Sequence, residues 1–131
     1  MRFMLDTSLC IDYLRGNSDV RAWVRSFASS LVVTSAIAVN ELEVGVFLTG
    51  NQASTRRDLN TFLRRCRPLP FDRAAAKEGG RIVAALGIKN NPTGYRDAMI
   101  AGHAVSLGLT VATRNAADFF KAPGVKVHSF A

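Results

Sequence analysis

Apolar residues along this chain come in two alternating rhythms, and that alternation limits the possible folds more than any other feature. Short continuous runs occur at Arg2 to Leu5, Leu31 to Thr34 and Leu109 to Thr113, with further short strand candidates around Pro68 to Phe71 and at Val125 to Phe130. Between them lie longer segments whose apolar residues recur at helical spacing. Strands separated by helices cannot pair as hairpins. They require crossover connections, and the expected architecture is a three-layer α/β/α fold with a mainly parallel central sheet.

The punctuation supports the same order. Ser8 can cap a helix through Tyr13 and Leu14 that stops at Gly16, and Ser18 can cap one carrying Val20, Trp23, Val24 and Phe27 on one side. Ser35 can cap the helix after the second strand, with Ile37, Leu42, Val44 and Phe47 as its apolar face and Gly50 as its end. Ala53 to Cys66 is amphipathic, and Asp72 can cap a helix through Leu86. Gly87 to Gly94 reads as an exposed loop with a mobile tip, followed by a helix over Arg96 to Leu107 that ends at Gly108. Val125 to Phe130 alternates apolar and polar residues, as an edge strand does.

A chain of 131 residues with 48% hydrophobic residues can build one core, so a single domain over residues 1–131 is expected. Charges interrupt every long apolar stretch, which leaves no membrane span. Asp6 and Asp12 fall inside what would have to be the apolar core of a signal peptide, so a cytoplasmic protein is expected. Cys10 and Cys66 have no CxxC partner and no histidine at zinc-ligand spacing, and read as reduced packing residues. The net charge of +7 points to a polyanionic partner, nucleic acid first, because cations that neutralise phosphates release counterions.

Against that basic background four acids are placed for chemistry. In open parallel sheets the site lies beyond the carboxyl ends of the strands, where strand order reverses. Asp6 ends the first strand, and Glu41 sits in the helix after the second. Asp97 opens the helix before the third buried strand, and Asp118 follows that strand. Any one of them alone reads as a cap or turn residue. Together they form a cluster that repels itself unless a cation neutralises it, and hard oxygen donors favour Mg²⁺ or Mn²⁺. A divalent ion so held can ionise water for attack on phosphorus, while a basic rim holds the phosphate backbone. Glu43 points to another helix face, and Asp12, Asp19, Asp58, Asp72 and Glu78 read as caps or exposed helix charges.

The segments MLDTS (4–8), NELEVG (Asn40 to Gly45), RDAMIAGHAVSLGLTVATRNAADF (Arg96 to Phe119) and PGVKV (123–127) resemble the successive motifs of VapC-type PIN-domain toxins, over nearly the whole chain. The resemblance implies a PIN-like fold and an acidic triad of Asp6, Glu41 and Asp97 centred on Mg²⁺ or Mn²⁺. Asp6 and Asp97 would be direct ligands, with Glu41 acting through water. Asn115 stands where many of these proteins have an aspartate, and Asp118 can take its place. Thr7 and Thr113 would orient water or carboxylates, and Ser8 would do the same or only cap its helix. The resemblance also implies hydrolysis of RNA, commonly tRNA or rRNA, to a 5′-phosphate and a 3′-hydroxyl. It implies a homodimer, a higher toxin–antitoxin assembly, and a VapB-like antitoxin whose C-terminal segment occupies an apolar groove, sought here around Trp23, Phe47 and the first helices. Arg15, Arg56, Arg57, Arg64, Arg65, Arg67, Arg96 and Arg114 are candidates for the RNA path, Arg96 and Arg114 being nearest the proposed site. Neither His103 nor His128 is given a catalytic role.

Other classes fit less well. A haloacid-dehalogenase phosphatase needs a second aspartate two residues after the first, where this chain has Ser8, and neither GxGxxG nor GxxxxGK[ST] occurs. The alternative from another class is a catalytically silent PIN-like module that binds RNA or a partner protein, a reading that Asn115 keeps open.

Overall fold

The computed structural model describes residues 2–88 and 90–130, with the side chains of Pro92 and Thr93 left out. Its strands are β1 (Phe3–Leu5), β2 (Val32–Ser35), β3 (Arg67–Leu69), β4 (Thr110–Thr113) and β5 (Lys126–Ser129). They form one sheet in the order β3-β2-β1-β4-β5, and every pairing is parallel. All residues of β1, β2 and β4 are buried, whereas β3 and β5, at the edges, keep exposed positions. That contrast explains the runs without alternation: a central parallel strand is covered on both faces, so both sets of side chains must be apolar or small.

The helices are α1 (Thr7–Leu14), α2 (Ser18–Arg25), α3 (Ala36–Leu48), α4 (Gln52–Arg65), α5 (Arg73–Leu86), α6 (Pro92–Leu107) and α7 (Ala116–Phe120). The three-layer α/β/α arrangement is as expected. From β1 the chain builds outward through β2 to β3, then returns to the other side of β1 to lay down β4 and β5. The strand order therefore reverses at β1 and β4, and the carboxyl ends of these two strands open a crevice.

Several caps and faces differ from expectation. Asp6, not Ser8, caps α1, accepting a hydrogen bond from Leu9 N, and Asn17, not Ser18, caps α2, accepting from Val20 N. In both cases the preceding residue has the non-helical backbone that a cap needs, so the shorter-range choice from sequence falls one or two residues late. α3 ends on Thr49 rather than Gly50 and buries Ala38, Leu42 and Val46, while Val44 and Phe47 are 52% and 64% exposed. A helix rich in apolar residues all round gives sequence periodicity little to choose between. α6 begins at Pro92, not Arg96, because Asn91 Oδ1 accepts from Gly94 N and proline is suited to a first turn that needs no N–H. The loop is shorter accordingly, and Lys89 at its expected tip lies outside the described residues.

Ser35 and Asp72 cap α3 and α5 as expected, and Gly87 and Gly108 end α5 and α6 in the left-handed conformation. Cys10 and Cys66 are both free and buried. Trp23, near which the groove was sought, is partly buried. It sits in an aromatic cluster, stacked on His128 at 5.2 Å and edge-on to Phe3 and Phe27 at 5.1 Å each.

The pair α5 and α6 sets where Asp97 stands. At their crossing a Cβ on Gly102 would lie 2.2 Å from Gly79 N, so the two backbones meet with no room for a side chain. We predict that Gly102→Ala destabilises the fold by about 2–3 kcal/mol through overpacking. Gly80→Ala, in the same helix pair but with open space around it, should stabilise by about 0.5–1 kcal/mol. Denaturant unfolding of both variants tests this, and equal effects would contradict it.

Candidate active site

Asp6 leaves the end of β1 and becomes the cap of α1, so one buried carboxylate joins three pieces of the crevice. Its Oδ1 accepts from Leu9 N at 3.0 Å and from Ser8 Oγ at 2.8 Å, and its Oδ2 accepts from Thr113 Oγ1 at the end of β4. Burial pushes its pKa up, while the hydrogen bonds from Thr113, Leu9 and Ser8 work against that rise. Thr113 Oγ1 also accepts from Asn115 N at 2.9 Å, which ties the turn after β4 to the same group.

Glu41 reaches the crevice from α3. Its Oε1 accepts from Thr7 Oγ1 at 2.8 Å, and its Oε2 lies 3.4 Å from Arg96 Nε. That nitrogen is buried without an aligned hydrogen bond, so charge alone holds the pair. Asp97, in the second turn of α6, is half-buried and raised to about 6. Burial is the largest cause, followed by the charges of Asp6, Glu41 and Asp118, with Arg96 opposing. Asp6, Glu41 and Asp118 thus act electrostatically on Asp97. Asp118, on α7, is the most exposed of them and has Lys121 Nζ at 4.0 Å. A cleft of about 390 Å³ has Asp97 and Asp118 in its wall beside Phe119.

The donor set is all oxygen and negatively charged, which suits a hard divalent cation. Among the described residues no three carboxylate, imidazole or thiolate groups stand close enough to enclose such an ion. As placed, Asp6 has both oxygens engaged by Thr113, Leu9 and Ser8, and Glu41 is engaged by Thr7 and Arg96.

Other sequence candidates are placed elsewhere. Arg114 Nε donates to Asp12 Oδ2 at 2.6 Å, with its guanidinium over the Phe130 ring. Asp12 is therefore an ion-pair partner rather than a solvated charge, a role hidden in sequence because the two residues are 102 positions apart. Asn115 starts α7 without a side-chain capping bond. Glu43 pairs with Arg56 at 2.6 Å. His103 is buried, 2.8 Å from Ser35 Oγ, and burial lowers its pKa, so it is a neutral packing residue.

The raised pKa of Asp97 makes stability depend on pH in a definite direction. An acid whose folded value exceeds its unfolded one opposes folding once ionised; the penalty is absent below about 3.8 and complete above about 6. In chelator, Asp97→Asn should match the parent at pH 4 and exceed it at pH 7.5, by no more than about 1 kcal/mol given solvent screening. Mg²⁺ should narrow the gap. Thermal unfolding at the two pH values measures it, and a gap that shrinks as pH rises would contradict the electrostatic reading.

Residues 3–125 match the family model described as PIN domain. The chain is 32% identical over 130 residues to a tRNA(fMet)-specific endonuclease VapC of Salmonella typhimurium, covering 99% of this chain and 98% of that protein. It is 34% identical over 128 residues to toxin FitB of Neisseria gonorrhoeae, covering 91% of each. Its fold superposes with a TM-score of 0.89 on a chain of the crystal structure of DNA-bound VapBC from Salmonella typhimurium, at 32% identity and over 100% and 99% of the two chains. The likeness thus extends along the chain from β1 through β5 and includes every element that carries an acid of the crevice, so this protein belongs to the PIN-domain family, in its VapC branch.

Proposed function

We propose that this protein is a metal-dependent endoribonuclease, the toxin of a VapBC-type pair, and that Asp6, Glu41, Asp97 and Asp118 are its acidic centre. The observation that carries this is the convergence of four carboxylates at the point where strand order reverses, on a chain with a net charge of +7. Asp6 and Asp97 would hold Mg²⁺ or Mn²⁺, and Glu41 would act through water. The ion, when bound, would supply a water ionised near neutral pH and a counter-charge for the phosphate.

The chain's own residues do the rest. Thr113, Ser8 and Leu9 fix both oxygens of Asp6, so it presents its charge without rotating. Thr7 holds Glu41 from the neighbouring helix, which leaves the other Glu41 oxygen to Arg96. Release of Arg96 from Glu41 to an RNA phosphate would couple substrate binding to a freer Glu41. The raised pKa of Asp97 means that an unoccupied centre takes up a proton readily, which would weaken cation binding below about pH 6.

The relatives' names, tRNA(fMet)-specific endonuclease VapC among them, support a structured RNA such as tRNA as substrate. An antitoxin partner is supported by the VapBC and FitAB assemblies in which similar chains are found. The apolar groove for its terminal segment is best placed where α1, α3 and α4 meet, a space of about 470 Å³ that has Glu41 at its edge and Leu42, Val46 and Leu59 in its wall. No helix among the described residues is long and apolar enough to cross a membrane, in keeping with a cytoplasmic site of action.

Purified protein free of any partner should cut total tRNA or rRNA at discrete positions in Mg²⁺ or Mn²⁺. Cleavage should be abolished by EDTA and reduced about 100-fold or more by Asp97→Asn, as expected for loss of a group at a metal centre. Absence of cleavage by folded, metal-loaded protein would overturn the nuclease reading in favour of a silent binding module.

A further inference from the structure

We propose that a pocket formed by Arg21, Arg25 and Arg65 beside Tyr13 is a phosphate subsite that holds the RNA backbone away from the acidic centre. The proposal rests on the nuclease reading for its choice of RNA and on the pocket itself for everything else. The pocket has a volume of about 400 Å³ and lies between α1, α2 and α4, with Asp58 as the one carboxylate in its wall.

Of this chain's thirteen arginines, four have a carboxylate within 4.0 Å among the described residues. Arg56, Arg81, Arg96 and Arg114 each have a carboxylate partner, in Glu43, Glu78, Glu41 and Asp12. Among the described residues Arg21, Arg25 and Arg65 have none within 4.0 Å, although Asp58 shares their pocket. Three guanidinium groups facing one space repel one another, and an anion between them removes that cost.

Their geometry is set in advance. Arg21 and Arg25 both lie over the Tyr13 ring, with guanidinium carbons 5.1 Å and 5.8 Å from its centroid. Arg21 Nε donates to Tyr13 O at 2.8 Å. Arg65 Nη2 donates to the carbonyls of Val24 and Phe27, at 2.8 Å and 2.6 Å. These bonds hold Arg21 and Arg65 through one nitrogen each. Arg65 Nη1 is left buried without an acceptor, a cost that an incoming phosphate oxygen would offset. Arginine suits this task because its planar fork can grip two phosphate oxygens at once.

The position is also apt. Tyr13 and Leu14 close the far end of α1 from Asp6, and seven residues at the helical rise put the two ends about 10 Å apart. Leu14 and Asp58 belong both to this pocket and to the groove that reaches Glu41, so the two sites adjoin on one surface. A strand cut at the acids can thus place a phosphate some three nucleotides away, at about 3.4 Å per stacked step, among the arginines.

The test measures binding of a fluorescein-labelled tRNA to the Asp97→Asn protein by anisotropy over a range of salt concentrations, with and without Arg25→Ala or Arg25→Glu. The Arg25 side chain lies over Tyr13 without bridging to a carboxylate, so circular dichroism and the unfolding temperature should show these variants folded. Expected are weaker binding, more so with glutamate than alanine, and partial rescue by Arg25→Lys. The slope of log K against log salt should become shallower by about 0.7–0.9 for each phosphate no longer neutralised. Inorganic phosphate should raise the unfolding temperature of the parent but not of Arg25→Glu if free phosphate also enters. Unchanged tRNA affinity and salt slope in folded Arg25→Glu would overturn the proposal, even if the parent protein cleaves RNA. A shallower slope in a protein that cleaves nothing would uphold the pocket and leave only the nuclease reading to fall.

Discussion

The hydrogen bonds that converge on Asp6 are the interaction on which the site depends. A carboxylate only 2% exposed would be costly unless its oxygens were satisfied, and they are satisfied from three directions at once. One donor is the backbone of α1, so the residue starts the helix. Another is the Thr113 hydroxyl at the end of β4, so it also joins the two strands at which the order reverses. Local capping, sheet assembly and the acidic centre therefore share one side chain. The same bonds limit how far burial can suppress its charge.

A second constraint is the separation of charge. The chain is strongly basic, yet at the crevice burial, with the charges of Asp6, Glu41 and Asp118 added to it, raises the pKa of Asp97 to about 6. Such a cluster is electrostatically unfavourable by itself, and α6, which carries Asp97, is fixed against α5 by the glycine contact. Four arginines are taken up by carboxylates in the free chain, Arg96 and Arg114 among them. Basic residues close to the acids in sequence are thus engaged, whereas the guanidinium groups of Arg21, Arg25 and Arg65 gather at the other end of α1. Charge counted along the chain does not reveal this division.

Much of the architecture was legible from local pattern. β1, β2 and β4 were readable because a strand covered on both faces must be apolar throughout, and Asp72, Gly87 and Gly108 marked helix ends whose chemistry is local. The four acids were legible as a group because each stands beside the carboxyl end of a strand or in a helix adjoining one. The buried face of α3 was not, since its apolar residues surround the helix and only neighbours decide which are covered. The start of α6 was missed by four residues because Asn91 and Pro92 read equally well as loop and as a helix opening. Trp23 and Phe47 are both named for the groove that the resemblance implies, yet one is stacked in an aromatic cluster and the other is 64% exposed.

By itself the sequence determined the alternation of strand and helix, the parallel sheet that alternation requires, and the positions of Asp6, Glu41, Asp97 and Asp118 relative to the strand ends. These follow from periodicity and capping, which act over a few residues. Only the tertiary structure decided that Thr113 would secure Asp6, that Arg114 would be drawn to Asp12, and that Arg21, Arg25 and Arg65 would share one pocket. Those contacts join residues up to 107 positions apart, and their distances and burial are set by the packing of whole elements, for which no local spacing carries a signal.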